Sequence, residues 1–417
     1  MSVLLFHAST APFVQQAAGA LCEAGLLDRF YTAIRNDPDS LWQKGACAAA
    51  RLGGFDLRAQ LRRRTVTSVP PNLVTAYPVR ELIRLAIGSM DRGARLADLV
   101  WAWAEPGFDR KIARRLHAGL RAVYGFEYGS LSTFQAARAR GMKVIYDVPA
   151  PEPLFVRAML NREVAKFPEL DTPYHRHTEA REEPRIARRR AEWNAADLVI
   201  TASEFTRKTY AAAGLDCARA RVVPYGAPPP ALRSEALDGS APNGPLQVLW
   251  AGTFSVRKGA HYMLEAWRNG GFGRHARLLV HGSIALPERL LKPRLEGVEF
   301  GGSIPQERLM NAYRRSDILA FPTLCDGFGM VATEAWSRGL PVLTTDCAGA
   351  SQFLKPGENG LLVPAANAEA IQGALAWCLD HRARLRAMRE AALATAAAWQ
   401  WADYRRLLVA AVRDCIR

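Results

Sequence analysis

Two acids and two glycines share one short stretch near the end of the chain, CDGFGMVATEAW at 325–336. Asp326 and Glu334 stand eight residues apart. On a helix with a rise of about 1.5 Å per residue, that spacing separates two carboxylates by roughly 10 Å. Gly327 and Gly329 let the backbone approach a ligand closely. Since ionised carboxylates accept hydroxyl hydrogen bonds strongly, we expect the two acids to hold hydroxyl groups at two ends of one ligand.

The same stretch predicts an anion site. The apolar run 317–321 reads as a buried parallel strand, the residues after the glycine turn read as a helix, and 341–345 reads as the next strand. In such a βαβ unit, ligands bind where the first strand ends. Free N–H groups at the helix start favour a phosphate. We expect these N–H groups to be those of Phe328, Gly329, Met330 and Val331.

A second glycine loop precedes this unit, in AGTFSVRKGAHYMLEAW at 251–267. Its pattern predicts a strand, a loop and a helix that begins near Gly259. Arg257 and Lys258 stand at that helix start. Two cations beside free backbone N–H groups predict a clamp for a diphosphate. No GxxxxGK[ST] string is present, which argues against a Walker-type site.

The string CDGFGMVATEAWSRGLPVLTTD resembles the signature of retaining glycosyltransferases of family 4. That signature has two glutamates separated by seven residues around a Phe-Gly pair, then a Glu-Ala helix and Gly-x-Pro-Val. The resemblance is specific over about residues 197–405 and loose before them. Asp326 takes the place of the first glutamate. Thr253 stands where many members have arginine, and Gln352 where a glutamate is usual.

The resemblance implies an α/β protein of the GT-B fold, with two Rossmann-like domains that face each other across a cleft. We expect an acceptor-binding domain at 1–226, a linker at 227–245, a donor-binding domain at 246–398 and a helix at 399–417 that crosses back to the first domain. The implied catalytic residues are Arg257, Lys258 and Asp326. Glu127 is added as a catalytic candidate from its position at a strand end, since many members have a histidine at roughly that place. The implied donor-binding residues are Gly252, Thr253, Arg257, Lys258, His281, Gly282, Asp326, Gly327, Phe328, Gly329, Met330, Val331 and Glu334.

Candidate acceptor-binding residues lie in the first half of the chain. Glu127 and Tyr128 follow a predicted strand at 122–126, and Asp147 follows the neighbouring one at 143–146. The two acids therefore point from one sheet edge towards one cleft, where one of them could accept the attacking proton. The alternative for Glu127 is that it caps the helix that starts at 129–130. His7 stands in the first loop, which faces the cleft in the resembling family, although a lone loop histidine is often incidental.

The charge of the chain is strongly positive, because 55 Lys and Arg outnumber 40 Asp and Glu to give +15 over 417 residues. Basic residues cluster at 62–64, 111–121 and 185–190. Such a field favours phosphorylated substrates, an anionic membrane surface or nucleic acid, the last being the least expected. Trp42, Trp101 and Trp103 among these arginines suggest a bilayer interface or, equally, core packing. The alternative for the charge is ordinary solvated helix faces.

Several other patterns limit the function. The sequence contains no run of about 18 apolar residues, so it predicts no membrane-spanning helix. The first six residues read as a strand rather than a signal peptide. The seven cysteines are scattered, which indicates reduced thiols in a cytoplasm. His175 and His177 lack carboxylate or cysteine neighbours in the pattern of a metal site, so we expect neither a metal nor a cofactor.

The resemblance therefore implies a retaining, metal-independent glycosyltransferase. It would move a hexose-type sugar from a nucleotide-diphosphate sugar to a hydroxyl of a saccharide or lipid-linked acceptor, in cell-surface polysaccharide or glycolipid assembly. We expect it in the cytoplasm, and a peripheral position at the inner face of the membrane is an open alternative. Two alternatives remain open: a nucleotide-sugar epimerase of the same fold, and a membrane- or polyanion-binding protein with a degenerate sugar site. The sugar, the base and the acceptor stay open.

Overall fold

A computed structural model describes residues 2–52, 56–90, 95–234 and 244–417. Over these residues the chain forms two parallel sheets with helices on their faces, so the predicted α/β class is confirmed. The strands read as continuous apolar runs because a parallel sheet covered on both faces buries every residue. Residues 3–6 of the first strand, for example, are all buried.

The first sheet contains seven parallel strands within the described residues, in the order β3-β2-β1-β4-β5-β6-β7. The strands are β1 (Ser2–Phe6), β2 (Leu27–Thr32), β3 (Val74–Ala76), β4 (Leu120–Phe126), β5 (Lys143–Val148), β6 (Leu198–Thr201) and β7 (Ala220–Val222). The helices of this half are α1 (Pro12–Glu23), α2 (Leu41–Leu52), α3 (Leu57–Arg62), α4 (Val79–Met90), α5 (Arg95–Ala113), α6 (Leu131–Arg138), α7 (Pro153–Lys166), α8 (Pro173–Glu179), α9 (Glu182–Ala195) and α10 (Glu204–Ala212).

The second sheet contains six parallel strands within the described residues, and a separate parallel pair lies beside it. The order of the six is β12-β10-β8-β13-β14-β15, and the pair is β9 with β11. The strands are β8 (Leu246–Ala251), β9 (Phe254–Ser255), β10 (Ala276–His281), β11 (Ile284–Ala285), β12 (Val298–Phe300), β13 (Ile318–Phe321), β14 (Val342–Thr344) and β15 (Gly360–Leu362). The helices are α11 (Ala260–Gly270), α12 (Gln306–Arg315), α13 (Met330–Ser337), α14 (Ala368–Asp380), α15 (Arg382–Ala398) and α16 (Trp401–Ile416).

The strand order of each sheet reverses once, between β1 and β4 in the first and between β8 and β13 in the second. Connections leave such a point in opposite directions, which opens a crevice at the carboxyl ends of the strands. His7 and Glu127 follow β1 and β4, and Gly252 follows β8. The glycine turn 325–329 follows β13. The topology therefore places these sequence-predicted residues at the two reversal points.

Two helices tie the halves together by crossing between them. Helix α16, at the end of the chain, packs on α1 and contacts β5 of the first sheet. Helix α7 precedes the second sheet in sequence, yet Met159 on it is buried in the core of that second sheet. A further core joins apolar residues of both sheets with those of α16. The boundaries of the two predicted domains stay a prediction, and residues 235–243 of the predicted linker lie outside the described residues.

Candidate functional site

The glycine turn starts helix α13 with an acid folded back on it. The N–H of Phe328 donates to Oδ1 of Asp326 at 3.1 Å. The prediction of a free Phe328 N–H is therefore wrong, because the acid two residues earlier already accepts it. Gly329 follows with a φ of 87°, a left-handed conformation that favours glycine. The N–H groups of Gly329, Met330 and Val331 have no hydrogen-bond partner among the described residues.

The two cations stand in a neighbouring turn that is bonded to the glycine turn. Residues 256–258 form one 3-10 turn, which ends at Gly259. The carbonyl oxygen of Arg257 accepts the N–H of Leu324 at 2.9 Å, and its guanidinium donates to the carbonyl oxygen of Cys325 at 3.1 Å. A Cβ on Gly259 would lie 2.0 Å from the carbonyl oxygen of Pro322. The turn 256–258, which carries Arg257 and Lys258, and the glycine turn 325–329 are therefore held together by backbone contacts and hydrogen bonds.

Lys258 and Asp326 form an ion pair between these loops. Both side chains are largely buried. Burial and then the neighbouring Arg257 hold the pKa of Lys258 well below its usual value, because each disfavours the ammonium form. The adjacent carboxylate of Asp326 acts in the opposite direction. Two residues that the sequence assigns to one ligand thus contact each other directly.

Glu334 lies inside α13, one helix turn beyond the N–H groups. Its carboxylate accepts a hydrogen bond from the hydroxyl of Tyr313 at 2.9 Å and one from the amide of Gln306 at 3.3 Å. Burial raises the pKa of Glu334, while these two donors lower it. Lys258 thus contacts the turn that starts α13, and Glu334 lies within that helix.

The ends of β8 and β10 approach each other through glycine. The N–H of Gly252 donates to the carbonyl oxygen of His281 at 2.8 Å, and a Cβ on Gly282 would lie 2.0 Å from the carbonyl oxygen of Gly252. Thr253 is exposed, and its hydroxyl accepts that of Ser283 at 3.2 Å. Nδ1 of His281 is buried without a partner among the described residues. This corner offers exposed backbone and one histidine for a ligand.

Glu127 is paired with an arginine that arrives from a distant helix. Nε of Arg189, on α9, lies 2.6 Å from Oε1 of Glu127. Burial raises the pKa of Glu127, whereas Arg189 and the more distant Arg257 lower it. The start of α6 is instead capped by Glu192, whose carboxylate accepts the N–H groups of Ser130 and Leu131 at 2.9 and 3.1 Å. The alternative in which Glu127 caps that helix is therefore wrong.

Tyr128 is held in a constrained position. Its φ of 72° is left-handed, and its N–H donates to Glu192 at 2.6 Å. Its ring stacks on that of Trp101 with centroids 4.4 Å apart. A left-handed conformation is unfavourable for tyrosine, so the hydrogen bond and the ring stacking must stabilise the backbone of Tyr128 in it.

His7 and Asp147, both predicted to bind the acceptor, differ in their surroundings and in whether their side chains are accessible from the crevice. The ring of His7 packs edge-on against Phe126 with centroids 4.9 Å apart, and burial lowers the pKa of His7 to about 4, so the imidazole is neutral. Asp147 is fully buried and accepts the hydroxyl of Tyr124 at 2.6 Å. Asp147 offers no accessible oxygen to an acceptor in this structure, because its strand turns the side chain into the core.

The basic run at 185–190 is matched by internal acids rather than left as a free cationic surface. The pairs are Arg185 with Asp98, Arg188 with Asp109, Arg189 with Glu127 and Arg190 with Glu152. The arginines of helix α9 are thus paired with acids inside the first half. Among the described residues no helix is long and apolar enough to cross a membrane. Within the same residues no three His, Cys, Asp or Glu gather where a metal ion could bind, and the expectation of no metal stays a prediction.

Sequence reasoning missed residues that act on the site from elsewhere in the chain. They are Pro149, Arg189, Glu192, Ser203, Thr206 and Tyr313. The Ser203-x-x-Thr206 spacing is a helix-capping pattern, and Ser203 does accept the N–H of Thr206 at 3.0 Å. That local signal gave no hint of the contacts that these hydroxyls also make across the crevice.

Residues 245–381 match the family model described as "Glycosyl transferases group 1". A D-inositol 3-phosphate glycosyltransferase of Nocardia farcinica is 32% identical over 224 residues, which cover 49% of this chain and 49% of that protein. A protein of the same name from Corynebacterium urealyticum is 34% identical over 126 residues, 30% of this chain and 27% of that protein. The chain thus matches about half or less of the length of these relatives.

Solved structures resemble the whole chain. A sucrose-phosphate synthase of Thermosynechococcus elongatus has a TM-score of 0.65 at 19% identity, covering 99% of this chain and 98% of that one. The Anabaena protein HepE, solved in complex with UDP-glucose, has a TM-score of 0.62 at 15% identity, covering 99% of this chain and 100% of that one. The predicted GT-B fold is confirmed by this likeness.

Proposed function

We propose that the chain is a glycosyltransferase that moves a hexose-type sugar from a nucleotide-diphosphate sugar to a hydroxyl group. One observation carries this proposal. At the reversal point of the second sheet lie two cations, two acids and three N–H groups that have no partner in the described part of the chain. Glu127 lies at the reversal point of the first sheet, close enough for Arg257 to lower its pKa. Its support from outside the chain is the match of 245–381 to a glycosyltransferase family.

The donor fits this arrangement by charge and by spacing. A diphosphate carries the charge that Arg257, Lys258 and the N–H groups of 329–331 attract. We propose that Lys258 leaves Asp326 for the phosphate, which frees that acid for hydroxyls of the sugar. Glu334, already bonded to Tyr313, would accept the ribose hydroxyls. The exposed backbone near Gly252 and Gly282 would meet the base.

The reaction follows from where charge develops. The acceptor oxygen bonds to the anomeric carbon on the face from which the diphosphate departs, the bond from that carbon to phosphate oxygen breaks, and the acceptor proton passes to the leaving diphosphate. The anomeric configuration is thereby retained. Arg257 and Lys258 stabilise the growing charge, and electrostatic stabilisation of this kind is commonly the largest catalytic contribution. Because these cations take that role, the proposed reaction needs no metal.

The acceptor side of the proposed site rests on Glu127, with Tyr128 and His7 beside it. Glu127, paired with Arg189, presents a carboxyl oxygen that can accept a hydrogen bond from the attacking hydroxyl. Neutral His7 adds a second polar group at the same sheet edge. We leave Asp147 out of this site because it is fully buried. We propose that the acceptor is a saccharide or a lipid-linked saccharide, and that the enzyme acts in the assembly of a cell-surface polysaccharide or glycolipid.

The test is a thermal-shift screen of UDP-, GDP- and ADP-sugars, followed by detection of the released nucleoside diphosphate. A ligand at 100 times its dissociation constant stabilises the folded state by about 2.7 kcal/mol. We expect one donor class to raise the melting temperature and to be consumed with saccharide acceptors, with the anomeric configuration retained by NMR. No shift with any of the three classes would contradict the proposal. Epimer formed without an acceptor would favour the epimerase alternative.

We further propose an anionic membrane surface as a partner, because one exposed apolar stripe favours it. Val79 and Ile83 on α4, with Leu96, Leu99 and Trp103 on α5, are exposed at helical spacings on two helices that pack together. This apolar stripe is flanked by cations, and the guanidinium of Arg80 lies 4.4 Å from the ring of Trp103. Tryptophan and arginine on such helices are typical of a bilayer interface.

Flotation with vesicles tests the membrane proposal. We expect the protein to float with phosphatidylglycerol vesicles at physiological salt and to stay behind with phosphatidylcholine vesicles. Leu96→Glu places a charge in the apolar stripe and should abolish flotation. Leu362→Glu, at an exposed leucine of the second sheet, is the matched control and should leave flotation unchanged. A wild-type protein that stays in the soluble fraction with both vesicles would overturn this proposal.

A further inference from the structure

Two hydroxyls of the first half hold the backbone of the glycine turn in the second half. Oγ of Ser203 donates to the carbonyl oxygen of Gly327 at 2.5 Å, and Oγ1 of Thr206 donates to the same oxygen at 3.0 Å. Ser203 caps α10, and both side chains are fully buried. A buried carbonyl with two hydroxyl donors is fully satisfied, so this contact fixes the orientation of that carbonyl.

The approach of the two halves at this point leaves no room for a side chain. A Cβ on Gly327 would lie 1.8 Å from the carbonyl oxygen of Pro149, which follows β5 of the first sheet. A Cβ on Gly349 would lie 2.2 Å from the carbonyl oxygen of Gly327 and 2.5 Å from Oγ of Ser203. Backbone therefore meets backbone across the crevice.

One peptide group links these hydroxyls to the acid of the donor site. The carbonyl oxygen of Gly327 and the N–H of Phe328 belong to the same planar unit and point in opposite directions. The first is held by Ser203 and Thr206, and the second donates to Asp326. Asp326 in turn pairs with Lys258. A rotation of this peptide would therefore move the acid and its cation together.

We propose that Ser203 and Thr206 are positioning residues for the donor site. The first half of the chain, through these two hydroxyls, sets the plane of the Gly327–Phe328 peptide and thereby the direction of the Asp326 carboxylate. Donor binding then depends on the seating of the first half against the glycine turn, as well as on the cations of the second half. The identity of the ligand, a nucleotide-sugar donor, rests on the proposed function. The positioning of the turn rests only on the hydrogen bonds described above.

The primary variant is Thr206→Val, which keeps the shape of the side chain and removes the hydroxyl. We expect amide hydrogen exchange in 325–332 to become about tenfold faster, because one of two anchoring hydrogen bonds is lost. The donor KM should rise about five- to tenfold, with a smaller change in kcat. Thr206→Ser restores the hydroxyl and should restore both readouts, which a loss of packing alone would not do.

The matched control is Thr201→Val, since Thr201 is fully buried and its hydroxyl has no partner among the described residues. We expect wild-type exchange and a wild-type donor KM from this control. Combining Thr206→Val with Asp326→Asn should give less than the sum of the two separate effects on the donor KM, because both act on one carboxylate. Full additivity would overturn the link through Asp326.

The two proposals fail in different ways. Unchanged exchange in 325–332 for Thr206→Val would overturn the positioning inference, whether or not a donor binds. Faster exchange without binding of any nucleotide-sugar would uphold the positioning of the turn and contradict the proposed function. Ser203→Ala is a second variant, which removes a helix cap as well as a hydroxyl, so its melting temperature should fall further than that of Thr206→Val.

Discussion

Four carboxyl groups among the described residues near the crevice have two kinds of partner. Asp326 is paired with Lys258, and Glu127 with Arg189. Glu334 and Asp147 meet only neutral donors, among them the hydroxyls of Tyr313 and Tyr124. The two acids paired with cations can exchange that cation for a ligand. The others differ in access, since Asp147 alone is sealed in the core.

Asp147 should therefore weaken the folded state as the pH rises. Burial raises its pKa to about 7, whereas an unfolded aspartate titrates at about 4. The folded state keeps the proton over that interval, so the associated stability is present below about pH 4 and is lost as the pH rises through 7. We expect the free energy of unfolding of Asp147→Asn, relative to wild type, to increase by about 3 kcal/mol between pH 5 and 8, measured by urea denaturation.

The control for this prediction is Asp403→Asn at the start of α16. A hydrogen bond from the backbone of Gln400 and then Arg406 lower the pKa of Asp403, so its contribution changes only at acidic pH. Its difference from wild type should stay flat between pH 5 and 8. A flat difference for Asp147→Asn over the same range would show that Asp147 is ionised in the folded protein.

At this scale the sequence predicts residue types better than their partners. Asp326, Glu334 and Lys258 are found from local spacing, because a turn and one helix bring them together. The partner of Glu127 is Arg189, 62 residues later in the chain, and no local pattern encodes that contact. Phe328 shows an error of another origin, since the contact is local and the acid that accepts its N–H was assigned to the ligand.

Among the elements, the glycine turn carries the strictest steric demand. Gly327→Ala would place a Cβ 1.8 Å from the carbonyl oxygen of Pro149, which no local movement of a flexible side chain can relieve. We expect the variant to fold, because each sheet keeps its own core, and to lose at least 90% of donor turnover as the turn shifts. Circular dichroism checks the fold, and release of nucleoside diphosphate checks the turnover.

Gly373→Ala in α14 is the comparison for that variant, because nothing lies within 4 Å of the added Cβ. It should retain full turnover and gain up to about 1 kcal/mol of stability from the higher helix propensity of alanine. Equal turnover in the two alanine variants would contradict the account of the crevice as a contact between backbones.

Periodicity predicted most elements that carry the site, since β4, β5, β8, β10 and β13 all fall on apolar runs. It failed over 36–110, where a short strand, β3, and helices α2 to α5 arise from weak patterns. There α2, α3 and α4 share a small core of their own around Ile34, Leu57 and Leu61. Such a core is assembled from single residues of several helices, so no one segment shows its full pattern.

At the scale of the whole molecule, the two halves should unfold as one unit. His261 on α11 and Glu163 on α7 form a buried hydrogen-bonded pair at 2.9 Å between the second half and a helix of the first. His261→Ala leaves the acid buried without this partner, which costs about 1–3 kcal/mol. We expect this variant to unfold in a single transition at a lower urea concentration than wild type. Fluorescence and circular dichroism, measured on the same samples, should report the same midpoint.

His117→Ala serves as the control, because His117 pairs with Asp28 at an exposed site. Exposed pairs contribute at most about 1 kcal/mol, so its midpoint should stay near that of wild type. Two separate transitions in the wild-type protein would contradict the shared core that joins both sheets with α16.

The central claim is that a diphosphate binds between Lys258, Arg257 and the start of α13. Calorimetric titration of wild type and Lys258→Met with UDP, GDP and ADP, each compared with its nucleoside monophosphate, tests it most directly. We predict that one diphosphate binds wild type, that Lys258→Met weakens it at least tenfold, and that the weaker monophosphate binding changes less than threefold. Equal binding of the diphosphate by both proteins, or an equal loss for diphosphate and monophosphate, would contradict the claim.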